Sequence, residues 1–364
     1  MAPTDKSSGY ALRWAALPTM FGAVWLLAEA VVISTGLLVP ADFVDRHRVL
    51  FEMFEPHAEW GFHTRPNLRD FRVTWRETGV EATYSTDEFG FRNVGRNYEA
   101  ARVAFLGDSF TFGVWVEESQ TFPALIEQGL EVPVVNLGQQ SFYVEQYAMV
   151  LDWLLERHKP DVVVVAIFPN DLTAAMTEDD FAHFYERFGW DAYESMPWQQ
   201  RSMAYRLVGL LRRLANPTST PRALESGRTE LGLVLFREAG AHPGSLEAGM
   251  HEHVEQVLTG MVEHAEALGV QVIVALLPSK ESTYVDDYER LFDGDYLENE
   301  RVGYERLAQE AERAGAAVVD LTGAFRAHAG EKLYFEYDAH FNAAGQALAA
   351  QTLQPAVAAA LAEE

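Results

Sequence analysis

At 364 residues the chain is long for one simple domain and short for three. Its 28 Lys and Arg face 54 Asp and Glu, a formal net charge of −26, which excludes a protein built to neutralise nucleic-acid phosphates. It has no cysteine, so thiol nucleophiles, Cys-ligated zinc, iron–sulfur clusters and disulfides are excluded together, while 48% hydrophobic residues supply an ordinary globular core.

The first element is the apolar run at 14–39, whose only charge in 26 residues is Glu29. As a helix it would reach roughly 39 Å, enough to cross a hydrocarbon core of about 30 Å with tilt. Lys6 and Arg13 precede it, so residues 1–13 are expected as a cytoplasmic tail, with everything after the transmembrane anchor on the periplasmic or extracellular side. The competing reading is a cleaved signal peptide ending near Ala28-Glu29-Ala30, but the run continues through 31–39. Both readings export the main domain. Glu29 at such depth is expected either to be locally solvated or to face a partner helix.

Residues 40–100 read as a separate β-rich preface. Polar and aromatic residues alternate in DFRVTWRETGVEATYS, and no helical period or chemistry is legible. From 101 to 364 the pattern becomes α/β. Apolar runs rich in β-branched residues at 102–107, 132–138, 161–168, 270–277 and 316–321 suit strands buried on both faces. Helical stretches at 120–130, 144–158, 246–268, 299–314 and 342–361 separate or follow them. That alternation predicts a three-layer α/β/α sandwich with a parallel five-stranded sheet. The third crossover is far too long, which marks an insertion at about 173–245, expected to be mostly helical and outside the sheet. Within it, Arg212-Arg213 on an amphipathic stretch at 202–215 would pack on the domain or meet lipid head groups.

Ligands of such sheets bind beyond the carboxyl ends of the strands. Gly107-Asp108-Ser109 follows the first strand and Asn136-Leu137-Gly138-Gln139-Gln140-Ser141 the second. Pro169-Asn170-Asp171 follows the third, and Asp338-Ala339-His340-Phe341-Asn342-Ala343-Ala344-Gly345 precedes the last helix. Alone, each is an ordinary turn or helix cap. Four in order at strand ends define a site. The cluster His251-Glu252-His253 with His264 reads instead as a solvated helix face, since i and i+2 diverge on a helix.

These four blocks resemble the SGNH/GDSL hydrolase superfamily over residues 101–361, the insertion apart. The D-x-H-x-N-x-x-G form looks most like membrane-anchored, polysaccharide O-acetyltransferase-like members. One residue, Ala339, separates Asp338 from His340 where the family usually has two, and Ser141 stands where a second glycine is common. A serine hydroxyl needs a base within hydrogen-bond reach. His340 would take the Ser109 proton, and Asp338 would fix the imidazole tautomer. The oxyanion would be met by the Ser109 and Gly138 backbone N–H groups and the Asn170 amide. The resemblance implies a membrane-anchored serine esterase or O-acyltransferase acting on a carbohydrate or lipid acyl ester, with no cofactor and no metal. The alternative is a non-catalytic accessory subunit of an integral membrane complex, contacting its partner through the Glu29 helix and the 173–245 insertion.

Overall fold

A computed structural model of the chain describes residues 22–32, 52–75, 80–172, 202, 204, 205, 207, 208, 226–236, 248–292 and 296–362. The chain divides into two units, 1–51 with 186–223 and 52–185 with 224–364.

The larger unit is built on five parallel strands, β5 (Val103–Leu106), β6 (Val134–Asn136), β7 (Val162–Ile167), β10 (Gln271–Leu276) and β11 (Ala317–Asp320). Their order is β11-β10-β7-β5-β6. Every residue of β5 and β7 is buried, as the Val- and Ile-rich runs require of strands covered on both faces. Helices α2 (Phe122–Leu130) and α9 (Ala343–Ala362) pack together on one face. Helices α3 (Val144–Arg157), α4 (Ala248–Ala267) and α7 (Tyr296–Ala314) pack on the other. Each fully buried Val, Leu, Ile or Phe side chain contributes about 1.5–3 kcal/mol over its exposed form. Residues such as Val103, Phe105, Val164, Ile273 and Leu353, all at 1% exposure or less, therefore hold the layers together. The chain order reverses between β5 and β7, and that switch point is where an open sheet leaves a crevice.

The preface is not separate. It forms two antiparallel hairpins, β1 (Phe54–His57) with β2 (Gly61–Thr64) and β3 (Phe71–Trp75) with β4 (Val80–Tyr84). From residue 52 onward it belongs to the same unit as the sheet. Buried Gln139, in the loop after β6, explains why. Its Oε1 accepts from the Thr64 N–H at 3.0 Å and the Thr64 hydroxyl at 2.7 Å, and its Nε2 donates to the Gly90 carbonyl at 2.9 Å.

The insertion is described only in part. The expectation for 173–245 is mostly helix outside the sheet; at 226–236 it holds instead β8 (Ser226–Arg228) and β9 (Val234–Phe236), a hairpin whose strands pair with each other and not with the main sheet. Gly232 takes the turn at φ 82°, and alternating Leu231, Leu233 and Leu235 give the segment a period of two. Lys280, after β10, ties this hairpin to the last loop: its Nζ donates to the carbonyls of Val234 and Phe335 at 3.0 Å and of Glu336 at 3.2 Å. Elsewhere in the insertion, Ser202 is described, 204–205 and 207–208 are helical, and the remainder lies outside the described residues.

In the smaller unit, residues 22–32 are helical. Val24, Trp25, Leu26, Leu27 and Val31 are exposed. Among the described residues no helix is long and apolar enough to cross a membrane. Most of the expected span at 14–39 lies outside them. Glu29 accepts from the Ser202 hydroxyl and, at 3.2 Å, from the Ala204 N–H. Within this unit the carboxylate therefore meets the chain's own insertion.

Candidate active site

Three of the four blocks are shaped by crowding around a glycine before any chemistry is considered. After β5, a Cβ on Gly107 would stand 2.2 Å from Thr111 Oγ1. Asp108 then caps the short helix α1 (Ser109–Phe112), its Oδ1 accepting from the Phe110 N–H at 2.8 Å. Ser109 opens α1, a position whose N–H has no intrahelical acceptor. At the other end of the chain, Asn342 caps α9 through the Ala344 and Gly345 N–H groups, at 2.9 and 3.1 Å. A Cβ on Gly345 would lie 2.1 Å from the Leu333 carbonyl oxygen. The D-x-H-x-N-x-x-G motif is thus half site and half scaffold: Asn342 and Gly345 press the loop down, and Phe341, fully buried, anchors it.

Ser109 Oγ and His340 Nε2 are 2.7 Å apart. On the far side of the ring, Nδ1 meets Asp338 Oδ1, which also accepts from the His340 backbone N–H at 2.8 Å. Burial alone would raise the Asp338 carboxyl, but the charge of His340 and the hydrogen bonds from its ring, its backbone and Trp115 hold it down at about 2. An ionised Asp338 only accepts, so Nδ1 carries the proton and Nε2 is left to accept from the Ser109 hydroxyl. Burial pushes the imidazole down, and Asp338's charge and hydrogen bond more than offset it, leaving His340 above its ordinary value of 6.5.

Asn170 Nδ2 lies 3.4 Å from Asp108 Oδ2. An amide carries two N–H groups, so the contact with Asp108 is compatible with the role expected of Asn170 at an oxyanion. Beneath it the acids are held by burial: Asp171 is pushed well up by burial first and by the charge of Asp108 second. Its oxygens accept from Tyr147 at 2.9 Å and from the Phe168 N–H at 3.0 Å.

Gly138 requires a correction. Its N–H, expected at the oxyanion, donates to Asn136 Oδ1 at 2.9 Å. A side chain two residues back has taken the donor, a local competition typical of Asn. The glycine is needed for space instead. A Cβ there would stand 2.4 Å from the Phe112 nitrogen and 2.6 Å from the Thr111 carbonyl carbon, against the backbone of the helix that Ser109 opens. Gly138→Ala is therefore expected to destabilise the protein by about 1–3 kcal/mol, the usual range for overpacking. A melting curve and esterase rate measured together check this: unchanged stability would mean α1 yields freely. In the same loop Ser141, exposed, adopts the left-handed φ of 62°.

Four residues that sequence reasoning passed over support this site. Trp115 Nε1 donates to Asp338 Oδ2 at 3.3 Å. Trp115 has φ 65°, a conformation costing a non-glycine residue about 1–2 kcal/mol. Its N–H donates to Tyr84 OH at 2.9 Å. Arg92, 1% exposed, donates to the carbonyls of Phe112 and Gly113 at 2.9 Å and of Val116 at 3.1 Å. Lys280, which binds the backbone two residues before Asp338, is the fourth. Burial lowers its ammonium to about 8. The His253 and His264 rings pair with Glu145 and Asp152 of α3, each at 2.9 Å, and take no part in the site.

A parallel sheet ordered in this way, with serine, imidazole and carboxylate in one hydrogen-bonded line at its switch point, has the architecture of a serine hydrolase. The GDSL-like lipase/acylhydrolase family model matches residues 105–348, and the chain belongs to that family. A comparison with curated proteins finds no match. Among solved structures, a protein assigned to the lipolytic G-D-S-L family from Desulfitobacterium hafniense is 17% identical, with 70% of this chain and 97% of that one covered and a TM-score of 0.40. An α/β hydrolase from the metagenome of Lake Arreo, Spain, is 18% identical, covering 72% and 97% with a TM-score of 0.42. A catalytic mutant of an acetylxylan esterase from Geobacillus stearothermophilus is 15% identical, covering 71% and 94% with a TM-score of 0.39.

Proposed function

We propose that the chain is a serine esterase that cleaves an acyl ester of a carbohydrate or lipid through an acyl-serine intermediate. The observation carrying this reading is the 2.7 Å approach of Ser109 Oγ to His340 Nε2, with Asp338 on the opposite ring nitrogen. Ser109 attacks the ester carbonyl while His340 takes its proton; the developing oxyanion is met by the Ser109 N–H and the Asn170 amide. His340 returns the proton to the leaving alcohol. A second nucleophile then releases the acyl group, with His340 again acting as base. Water gives hydrolysis and a sugar hydroxyl gives O-acyl transfer, so both reactions share one intermediate. The same geometry favours catalysis over a purely scaffolding subunit, which has no need of a hydrogen-bonded triad. Hydrolysis of p-nitrophenyl acetate by the purified protein tests the reading, and absence of turnover on a panel of short acyl esters would reject it.

The localisation proposed with it is a single anchor at 14–39 and a periplasmic or extracellular main domain. The apolar run with Lys6 and Arg13 before it supports this, as do the exposed Val24, Trp25, Leu26, Leu27 and Val31 on the helix at 22–32. The bilayer is then the first partner, and an integral membrane protein docking on the 22–32 helix and the insertion is a second. Protease added to intact spheroplasts is expected to digest residues beyond 41; protection of that part with an intact N-terminus would reverse the assignment.

A further inference from the structure

The two oxygens of Asp338 are used unequally. Oδ1 accepts both N–H groups that His340 presents, from its backbone at 2.8 Å and from its ring. With only Ala339 between acid and base, one oxygen meets both donors and His340 holds the carboxylate on one side alone. On the other side Oδ2 faces the indole N–H of Trp115 at 3.3 Å. We propose that Trp115 is a positioning residue for the catalytic acid, fixing the plane of the Asp338 carboxylate so that Oδ1 stays in line with the imidazole. The proposal rests on the esterase reading and adds a residue to that same site.

The backbone around Trp115 supports the assignment. A bulky aromatic residue at φ 65° persists only where its surroundings over-determine it, and such residues cluster where a side chain must be aimed. Here the constraint comes from the preface. Tyr84 OH receives the Trp115 N–H at 2.9 Å. The buried guanidinium of Arg92 clamps the carbonyls of Phe112 and Gly113 before it and of Val116 after it. Arg92 is itself held over the rings of Tyr84, at 4.8 Å, and Phe112, at 5.1 Å. Residues 80–116 therefore form a bracket that connects the second preface hairpin to the acid of the triad. The preface, opaque as sequence, acts on catalysis through this bracket.

Two substitutions at position 115 test this. Trp115→Phe removes the donor, and a benzothienylalanine isostere removes it while keeping the bicyclic shape. With either, kcat on p-nitrophenyl acetate is expected to fall about tenfold, the worth of one hydrogen bond to a charged group, with KM within about twofold. The acid limb of kcat/KM is expected to move to higher pH. A carboxylate stripped of a donor is more basic and holds the imidazolium more strongly, while Asp108 and Lys280, the other charges acting on His340, are unchanged. The low-field proton resonance of His340 Nδ1–H reads the same contact without turnover, so it separates failure of this proposal from failure of the esterase reading. Tyr84→Phe is expected to act in the same direction, more weakly. An isostere variant with parental kcat, limb and resonance overturns the proposal, as does a fall in melting temperature and rate with limb and resonance in place, which marks Trp115 as structural only.

Discussion

Ser109→Ala is expected to lower kcat on p-nitrophenyl acetate by at least about a thousandfold, His340→Ala by a similar factor, and the double variant by no more than either alone. The expectation follows from the geometry of the proton path. Ser109 Oγ stands 2.7 Å from His340 Nε2, and that nitrogen is free of the proton because Asp338 holds the other. Without the hydroxyl there is no acyl-serine; without the imidazole the hydroxyl stays protonated and unreactive near neutral pH. Each deletion removes the whole covalent route, so the second adds nothing. What survives is the rate due to binding and to the oxyanion donors. A parental burst of p-nitrophenolate that disappears in Ser109→Ala would identify the intermediate. Losses that multiply in the double variant would mean that serine and histidine act in separate steps, contrary to the hydrogen bond between them.

The sheet was legible because burial on both faces leaves a coarse mark. Runs such as DVVVVAIF have no polar alternation, and only a strand covered by helices on two sides uses apolar residues so continuously. The site was legible for a related reason. Parallel strands deliver all their carboxyl ends to one edge, so blocks remote in sequence converge without any contact having to be inferred. What failed was contact between side chains. Nothing in the order of residues shows that Asn136 takes the N–H of Gly138, or that Trp115 reaches a carboxylate 223 residues away. The preface was misjudged as separate because it is attached through buried polar side chains such as Gln139, Gln146 and Arg92, whose hydrogen bonds leave no periodic trace. Short elements were lost in the same way. Lys280–Thr283, Val285–Leu291 and Thr322–Ala327 are too brief to display a 3.6-residue period, and the β8–β9 hairpin is too brief to outweigh the helical reading of its surroundings.

Asp338→Asn is expected to reduce the plateau of kcat/KM by about a thousandfold or more and to move its acid limb to lower pH. The active form requires a neutral His340, so the limb follows the imidazole. In the native protein burial disfavours the imidazolium, and Asp338 reverses that effect, setting His340 above 6.5. The native limb therefore lies above pH 6.5, and activity grows as pH rises through it. The amide that replaces the carboxylate carries no charge. Burial and the charge of Lys280 then disfavour the imidazolium with only the charge of Asp108 against them, so His340 falls from its native value and the limb moves down. The plateau falls for a separate reason. An amide can turn its own N–H toward Nδ1, which favours the tautomer with the proton on Nε2 and removes the acceptor that Ser109 needs; the analogous change in a serine protease triad costs about ten thousandfold. The shift distinguishes this variant from Trp115→Phe, in which the charge remains and one of its donors is lost, so that the limb moves up. A pH–rate profile of the two variants side by side reads both signs. An Asp338→Asn limb that stays in place or moves up would show that the Asp338 charge does not govern His340, and the assignment of acid and base would have to be made anew, whereas a Trp115→Phe limb that moves down would overturn only the effect assigned to the indole donor.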